Sequence, residues 1–355
     1  MPPDLTIAIC AYNAVGRLEP VIRALGRQRM GSQIPREFLL VDNASTDGTG
    51  AMAKKLAEEF HLPLRVIREP RRGRVFAVRA AVREAAAPIL SFVDDDNLVS
   101  ENWIEACLSF MNQHPRAGII GPKINPVFED PGSRPADFDD KYAQALAVRD
   151  LGPVALRLLP PEHDGPPGAG MTGRTSLLRT ILFDVACRLV GHEGEHLGSG
   201  EDSEIALIAH RLGWELWYVP ELQMGHVLPP RRLTETYLHR LIADGARSEP
   251  WLNYLRGKRL RQSRWHYFIR GAENWWISWK MRCLALLRKD AASQYRFWAD
   301  LHRNRGWGYL DLAGTYPFEK FESSLAAVTA QPPGVDGAGA AHTVAMECNN
   351  LGSAG

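Results

Sequence analysis

The chain has 355 residues, 45% of them hydrophobic and 23% charged, with a formal net charge of +1, which excludes wholesale disorder and leaves room for one large α/β domain with an appended segment. The near-neutral total hides a strong asymmetry: residues 247–305 hold 14 Lys/Arg against 4 Asp/Glu, and seven of the ten tryptophans lie between Trp251 and Trp307. Cys10, Cys107, Cys187, Cys283 and Cys348 are scattered with no short pairing, a pattern of reduced thiols and not of zinc ligation. The start, Met1-Pro2-Pro3-Asp4, lacks the regions of a signal peptide, and no apolar run reaches the roughly 20 residues that span a bilayer. A cytoplasmic protein is expected, at most peripheral to the inner face of the plasma membrane.

Strands are predicted over residues 5–10, 37–42, 63–68 and 88–93, each a short run rich in β-formers. Helices are predicted between them, up to Gln28, over 51–60 after the breaker Asn43–Gly48, and over 75–87. A helix over 101–113 and a strand near Ile119-Ile120 follow. Strands alternating with helices at this spacing call for a mainly parallel sheet covered on both faces. Such sheets bind ligands at the carboxyl ends of their strands. Tyr12-Asn13, Asp42 and Asp94-Asp95-Asp96 sit at three of those ends. Residues 129–170 read as a long Pro/Gly/Asp-rich excursion. A helix over 202–212 and a strand over 214–219, closed by Pro220, come next. Residues 232–305 read as mainly helical, and the Gly/Ala-rich tail from about Gln331 as disordered.

Three consecutive aspartates repel one another and resist burial, a cost that a divalent cation removes. Acids decorating a nearby helix N-terminus are an equal alternative. Gly200-Glu201-Asp202 opens a helix, where acids commonly complement the dipole; a catalytic base at Asp202 requires that the chain bring it near Asp96. His226 alone carries no assignment.

Ala11-Tyr12-Asn13, VDNASTDGT (Val41–Thr49), FVDDDN (Phe92–Asn97), GEDSE (Gly200–Glu204) and His226 occur in the order of glycosyltransferase family 2. The resemblance spans residues 5 to about 245 and is similar to a bacterial branch acting on surface or exported polysaccharide. It implies an α/β protein of the GT-A fold with a helical C-terminal extension. The expected parts are a catalytic domain, 1–245, with a nucleotide-sugar half, 1–125, and an acceptor half, 126–245; a basic, Trp-rich extension, 246–325; and a tail, 326–355. It also implies an inverting, hexosyltransferase-type enzyme. Donor contacts would come from Ala11, Tyr12, Asn13, Asp42, Ser45, Arg72, Asp94, Asp95 and Glu201. Mn²⁺ or Mg²⁺ would be held by Asp94, Asp96 and His226, and Asp202 would be the base. The implied partners are a nucleotide diphosphate sugar, UDP-linked by preference, and a glycan or lipid-linked acceptor, with no nucleic acid.

Two stretches depart from the family pattern or stay open. Many members carry Ala-Arg-Asn in the helix after strand three; here the stretch from Gly73 reads RVFAVRAAV, so Arg72, Arg74 or Arg79 stands to meet phosphate, unless these arginines form a solvated face. GAGMTGR (Gly168–Arg174) is an acceptor-side floor or an ordinary turn. Alternatives of other classes are a polyprenyl-phosphate glycosyltransferase, a nucleotidyltransferase and a non-catalytic sugar-nucleotide binder. The nucleotidyltransferase lacks its Gly-rich basic loop after strand one. In the C-terminal third, Trp275, Trp276, Trp279, Cys283, Leu286 and Leu287 share one helical face, beside Lys280, Arg282, Arg288 and Lys289. That face either packs as core on the catalytic domain, the slightly favoured reading, or rests on an anionic membrane.

Overall fold

A computed structural model describes residues 2–29, 35–188, 200–257, 263–314 and 318–330, the side chains of 140 and 141 apart. Its centre is a nine-stranded sheet among the described residues. The strands are β1 (Leu5–Ala11), β2 (Arg36–Asn43), β3 (Leu64–Glu69), β4 (Ile89–Asp94), β5 (Asn97–Val99), β6 (Ala117–Phe128), β7 (Leu156–Leu158), β8 (Thr172–Arg174) and β9 (Glu215–Leu228). The order is β3-β2-β1-β4-β8-β6-β9-β5, with β7 also on β9. Strands β1 to β4 are parallel, as their helical crossovers require. The chain reverses direction in the sheet at β1, which has β2 on one side and β4 on the other. In open α/β sheets that reversal leaves a crevice at the carboxyl ends of the strands.

The twelve α-helices among the described residues are α1 (Leu18–Gly26), α2 (Thr49–Glu59), α3 (Arg74–Glu84), α4 (Trp103–Gln113), α5 (Phe138–Lys141), α6 (Thr175–Arg179), α7 (Glu201–Arg211), α8 (Glu235–Gly245), α9 (Glu249–Leu255), α10 (Arg264–Leu287), α11 (Ala292–Gly314) and α12 (Phe318–Ala330). Alternate residues of each inner strand feed opposite faces of the sheet. Leu5, Ile7 and Ile9 of β1 pack with α1, α2 and α4. Ala8 of β1, Leu39 and Val41 of β2 and Phe92 of β4 pack with α3, α7 and α9, joined by Tyr267, Tyr309 and Phe321 from the last three helices. The C-terminal helices therefore share a core with the sheet.

Four local readings change. The strand near Ile119 extends from Ala117 to Phe128 because β9 runs beside it. Pro220 does not close β9; it lies in a bulge, where Val219 faces Pro122 and the next paired residue, Gln223, faces Lys123. A proline without an N–H is tolerated where the ladder is already interrupted. Helix α12 runs through Ala330, into the segment from 326 read as a tail; residues 331–355, with Cys348, lie outside the described residues. Finally, α10 buries Tyr267, Gly271, Asn274 and Ser278, while Trp276 and Trp279 are 61% and 64% exposed, so these tryptophans are not core. Small residues were needed on the buried side because α10 and α11 approach closely: a Cβ on Gly271 would meet Leu310 at 2.7 Å, and one on Gly306 would meet Trp275 at 2.7 Å.

Candidate active site

The crevice at the carboxyl ends of β1 and β4 is a cleft of about 430 Å³. It is lined by Ala11, Tyr12, Arg72, Arg74, Asp94, Asp95, Asp96, Gly168, Glu201, Asp202, His226 and Arg232, and roofed by Tyr237 and Leu241 of α8. Segments far apart in the chain meet there. Tyr12 follows β1, the aspartates end β4, and Glu201 and Asp202 open α7. Gly200, at φ 121°, makes the entry to α7, and its missing side chain leaves room for Ser248.

His226 is set beside Asp96 by strand register. β5 hooks antiparallel onto β9 with Asn97 opposite His226, and the Val227 N–H donates to the Asp96 carbonyl at 2.9 Å. The His226 ring points Nδ1 at the Leu146 carbonyl (2.9 Å), leaving Nε2 3.6 Å from Asp96 Oδ2. Arg232 closes this corner: its Nη1 donates to Asp96 Oδ2 at 2.8 Å and stands 3.3 Å from His226 Nε2. Burial alone would raise the Asp96 carboxyl, but His226 and Arg232 outweigh it and hold that carboxyl well below the usual range. The Asn97 side-chain amide donates to its other oxygen at 3.1 Å.

Asp94 faces the other way, 3.5 Å from Arg74, and burial raises its carboxyl despite that partner. Arg74 also donates to Glu201 at 3.0 Å. It lies under Gly168, where a Cβ would come within 2.5 Å of its guanidinium, so the glycine permits the arginine to cross the cleft floor. The Gly168 N–H donates to Asp202 Oδ2 at 2.8 Å, and the Ser203 N–H to Asp202 Oδ1 at 2.8 Å. The stretch GAGMTGR thus forms part of the cleft floor and orients Asp202.

Asp95 lines the cleft but is engaged inward. Arg17 donates to both its oxygens, at 3.1 and 2.9 Å, and the Tyr12 N–H to one of them at 3.3 Å. Burial, with the charges of Asp96 and Asp94, pushes its carboxyl up to about 6 against those bonds. Arg72 lies over the Tyr12 ring, 4.6 Å from its centroid, giving a flat cationic wall. Asn13, Asp42 and Ser45 are not among the lining residues. They stitch the loops after β1 and β2 together: Asn13 N–H to Ser45 Oγ (3.1 Å), Thr46 N–H to Asn13 Oδ1 (2.9 Å) and Ser45 N–H to Asp42 Oδ1 (3.0 Å). Of the three arginines expected near phosphate, Arg72 and Arg74 line the cleft, while Arg79 turns to Cys187. The Cys10 thiol in the cleft is pushed up to about 12 by burial and by Asp94, which removes it as a nucleophile.

The expected ligands Asp94, Asp96 and His226 do not converge as a trio: among the described residues no group of three His, Cys, Asp or Glu side chains is disposed to hold a metal ion. Asp96 and His226 fit a cation as a pair, since a histidine fixed through Nδ1 to a carbonyl presents Nε2 as a ligand beside a carboxylate oxygen. Asp94 is drawn off by Arg74, and the Arg232 guanidinium stands between the pair.

Comparison with known proteins agrees with this architecture. Residues 6–156 match the family model described as Glycosyl transferase family 2. The solved mannosyltransferase PcManGT from Pyrobaculum calidifontis, in complex with GDP-Man and Mn²⁺, superposes with a TM-score of 0.52 over 88% of this chain and 87% of that one, at 18% identity. Residues 6–156 thus resemble glycosyltransferase family 2, and the chain shares the GT-A fold of the solved structure. Polypeptide N-acetylgalactosaminyltransferase 11 of Xenopus tropicalis is 26% identical over 255 residues, 65% of this chain and 40% of that protein. Glycosyltransferase AglE of Haloferax volcanii is 22% identical over 137 residues, 39% of this chain and 44% of that protein. The chain therefore spans less than half the length of either relative.

Proposed function

We propose that the chain is an inverting glycosyltransferase that moves a sugar from a nucleotide diphosphate sugar to an acceptor hydroxyl. The observation that carries this reading is the meeting of Asp202, the Asp96–His226 pair and the arginines Arg72 and Arg74 in one cleft at the carboxyl ends of β1 and β4. Tyr12 and Arg72 offer a flat wall for the nucleobase. Arg72 and Arg74 provide positive charge for the diphosphate. Asp202, aimed by the Gly168 N–H, accepts the proton of the attacking hydroxyl. A single displacement with the base opposite the leaving group inverts the anomeric carbon and needs no enzyme nucleophile, in keeping with the neutral Cys10. A divalent cation, Mn²⁺ or Mg²⁺, held by Asp96 and His226 would neutralise charge on the departing nucleotide diphosphate. The donor expected is a UDP-sugar. A glycan or lipid-linked acceptor in cell-surface polysaccharide synthesis suits the apolar roof made by Tyr237 and Leu241.

The test is release of nucleoside diphosphate from a panel of sugar nucleotides, with water as the slow acceptor and Mn²⁺, Mg²⁺ or EDTA present. Metal-dependent release from one donor, lost in Asp96→Ala, is expected. Failure of every donor to bind, with metal or without, would refute the proposal.

The position of Arg232 gives a separate expectation. Its guanidinium bonds to Asp96 and stands beside His226, so it has to withdraw before both ligands engage a cation. Arg232→Met removes that competitor. A charge-assisted hydrogen bond is worth about 1.5 kcal/mol or more, which corresponds to a Mn²⁺ affinity at least about tenfold tighter without donor. Calorimetric titration checks this, and an unchanged affinity would mean that Arg232 and the cation do not compete.

A further inference from the structure

Helix α10 has two opposed faces. Tyr267, Gly271, Asn274 and Ser278 are buried and recur at intervals of three and four residues. On the other side Trp265, Phe268, Trp276, Trp279, Leu286 and Leu287 fall within roughly 100° of one another around the helix and are exposed, Leu286 and Leu287 by 78% and 77%. The stripe runs from residue 265 to 287, about 33 Å at the rise of an α-helix. An apolar strip of this length on a soluble surface marks a place that something covers. Among the described residues no helix is long and apolar enough to cross a membrane, so a transmembrane role for α10 does not explain it.

We infer that this stripe seats the protein on an anionic lipid surface, with α10 lying in the plane of the interface. Three features select that occupant. The stripe is rich in tryptophan, whose ring is apolar with a polar N–H and favours the headgroup level. Its margins are basic: α10 and the two residues after it, 264–289, hold six Lys/Arg against one Asp/Glu, and the Lys280 ammonium lies over the Trp276 ring, 5.7 Å from its centroid. A second copy docked stripe to stripe would bring these basic margins together, whereas anionic headgroups complement them. The stripe is also joined to the cleft through one intervening helix. Asn304 of α11 donates to the Ala243 carbonyl of α8 at 3.0 Å, and Phe297 of α11 stacks on His239 of α8 at 4.4 Å. Tyr237 and Leu241, on that same α8, roof the cleft. Lipid held against α10 is thereby coupled to the acceptor side of the site. The surface itself does not depend on the transferase reading.

The test is flotation of the full chain with vesicles of phosphatidylcholine alone and of phosphatidylcholine with phosphatidylglycerol. Wild type is expected to float with the anionic vesicles, less at high salt, and at most weakly with the neutral ones. Trp276→Glu with Trp279→Glu, both on the exposed face, is expected to lower the anionic partition by more than about tenfold while leaving the melting temperature and the nucleoside diphosphate release to water unchanged. Equal flotation of variant and wild type, or no flotation of wild type, overturns the inference. So does a wild-type dimer that the same variant turns into a monomer, which would assign the stripe to a second copy. Wild type that floats but releases no nucleoside diphosphate would count against the proposed reaction alone.

Discussion

Asp202→Asn is expected to lower the rate of sugar transfer by about 10²- to 10⁴-fold, the usual worth of a positioned general base, with donor affinity changed by less than about threefold. The substitution is chosen because the asparagine oxygen can still accept from the Gly168 N–H, which Asp202 Oδ2 now does at 2.8 Å. What disappears is the capacity to take a proton, together with the bond that the other oxygen accepts from the Ser203 N–H. The Arg74–Glu201 pair beside it is left intact, so the electrostatic setting of the diphosphate remains. Kinetics with a saturating donor, together with equilibrium donor binding, separate the two effects. A variant that keeps near-normal turnover would remove Asp202 from the role of base. A variant that loses donor binding in step with turnover would make it a binding residue.

The largest effect on stability is expected at Arg74. Its guanidinium serves Glu201 at 3.0 Å and Asp94 at 3.5 Å, and its own pKa is raised because the charges of Asp94, Glu201 and Asp202 outweigh its burial. Arg74→Met keeps much of the volume but leaves those carboxylates without the cation between them. Loss of one partner of such a buried set costs about 3 kcal/mol. The pH dependence has a definite sign. Burial already raises the Asp94 carboxyl above its unfolded value, and without Arg74 it rises further. A carboxyl whose folded pKa is raised destabilises the native state above its unfolded pKa, and the penalty is relieved as pH falls through the folded value. The deficit of Arg74→Met relative to wild type should therefore narrow from neutral to mildly acidic pH in urea unfolding followed by tryptophan fluorescence. A deficit independent of pH would point to lost packing in place of unpaired charge.

The strand-end logic makes much of the candidate site legible in the sequence. β1, β2 and β4 are short apolar runs that end in polar residues, and a parallel sheet puts such ends on one side. The bringing together of Asp94 to Asp96 with Glu201, Asp202 and His226 follows the motif order. What was not legible is which polar groups face inward. Asn13, Asp42 and Ser45 have the side chains of ligand-binding loops, yet short Asx and Ser side chains also close turns by bonding nearby N–H groups. Here they do the second. Arg17 and Arg232 look like solvated surface charge in sequence, because a guanidinium's partner can be far along the chain; Arg232 and Asp96 are 136 positions apart. For α10 the period was clear but its polarity was misleading. The side that packs holds glycine, serine and asparagine because two helix backbones approach there, and the large apolar side chains were left outside.

The bulge in β9 acts as a length gauge for the cleft. Val219 is in register with Pro122, and the pairing resumes at Gln223 with Lys123, so Pro220, Glu221 and Leu222 are taken up as slack before the strand reaches the cleft. His226 arrives opposite Asn97 only because that slack has this length. Side chains alternate sides at every residue, so one residue more or fewer would turn His226 away from Asp96 and present Gly225 or Val227 instead. Loops elsewhere on the molecule can drift in length at little cost. This one is counted, and an insertion or deletion there would change the lining of the cleft as surely as a substitution within it.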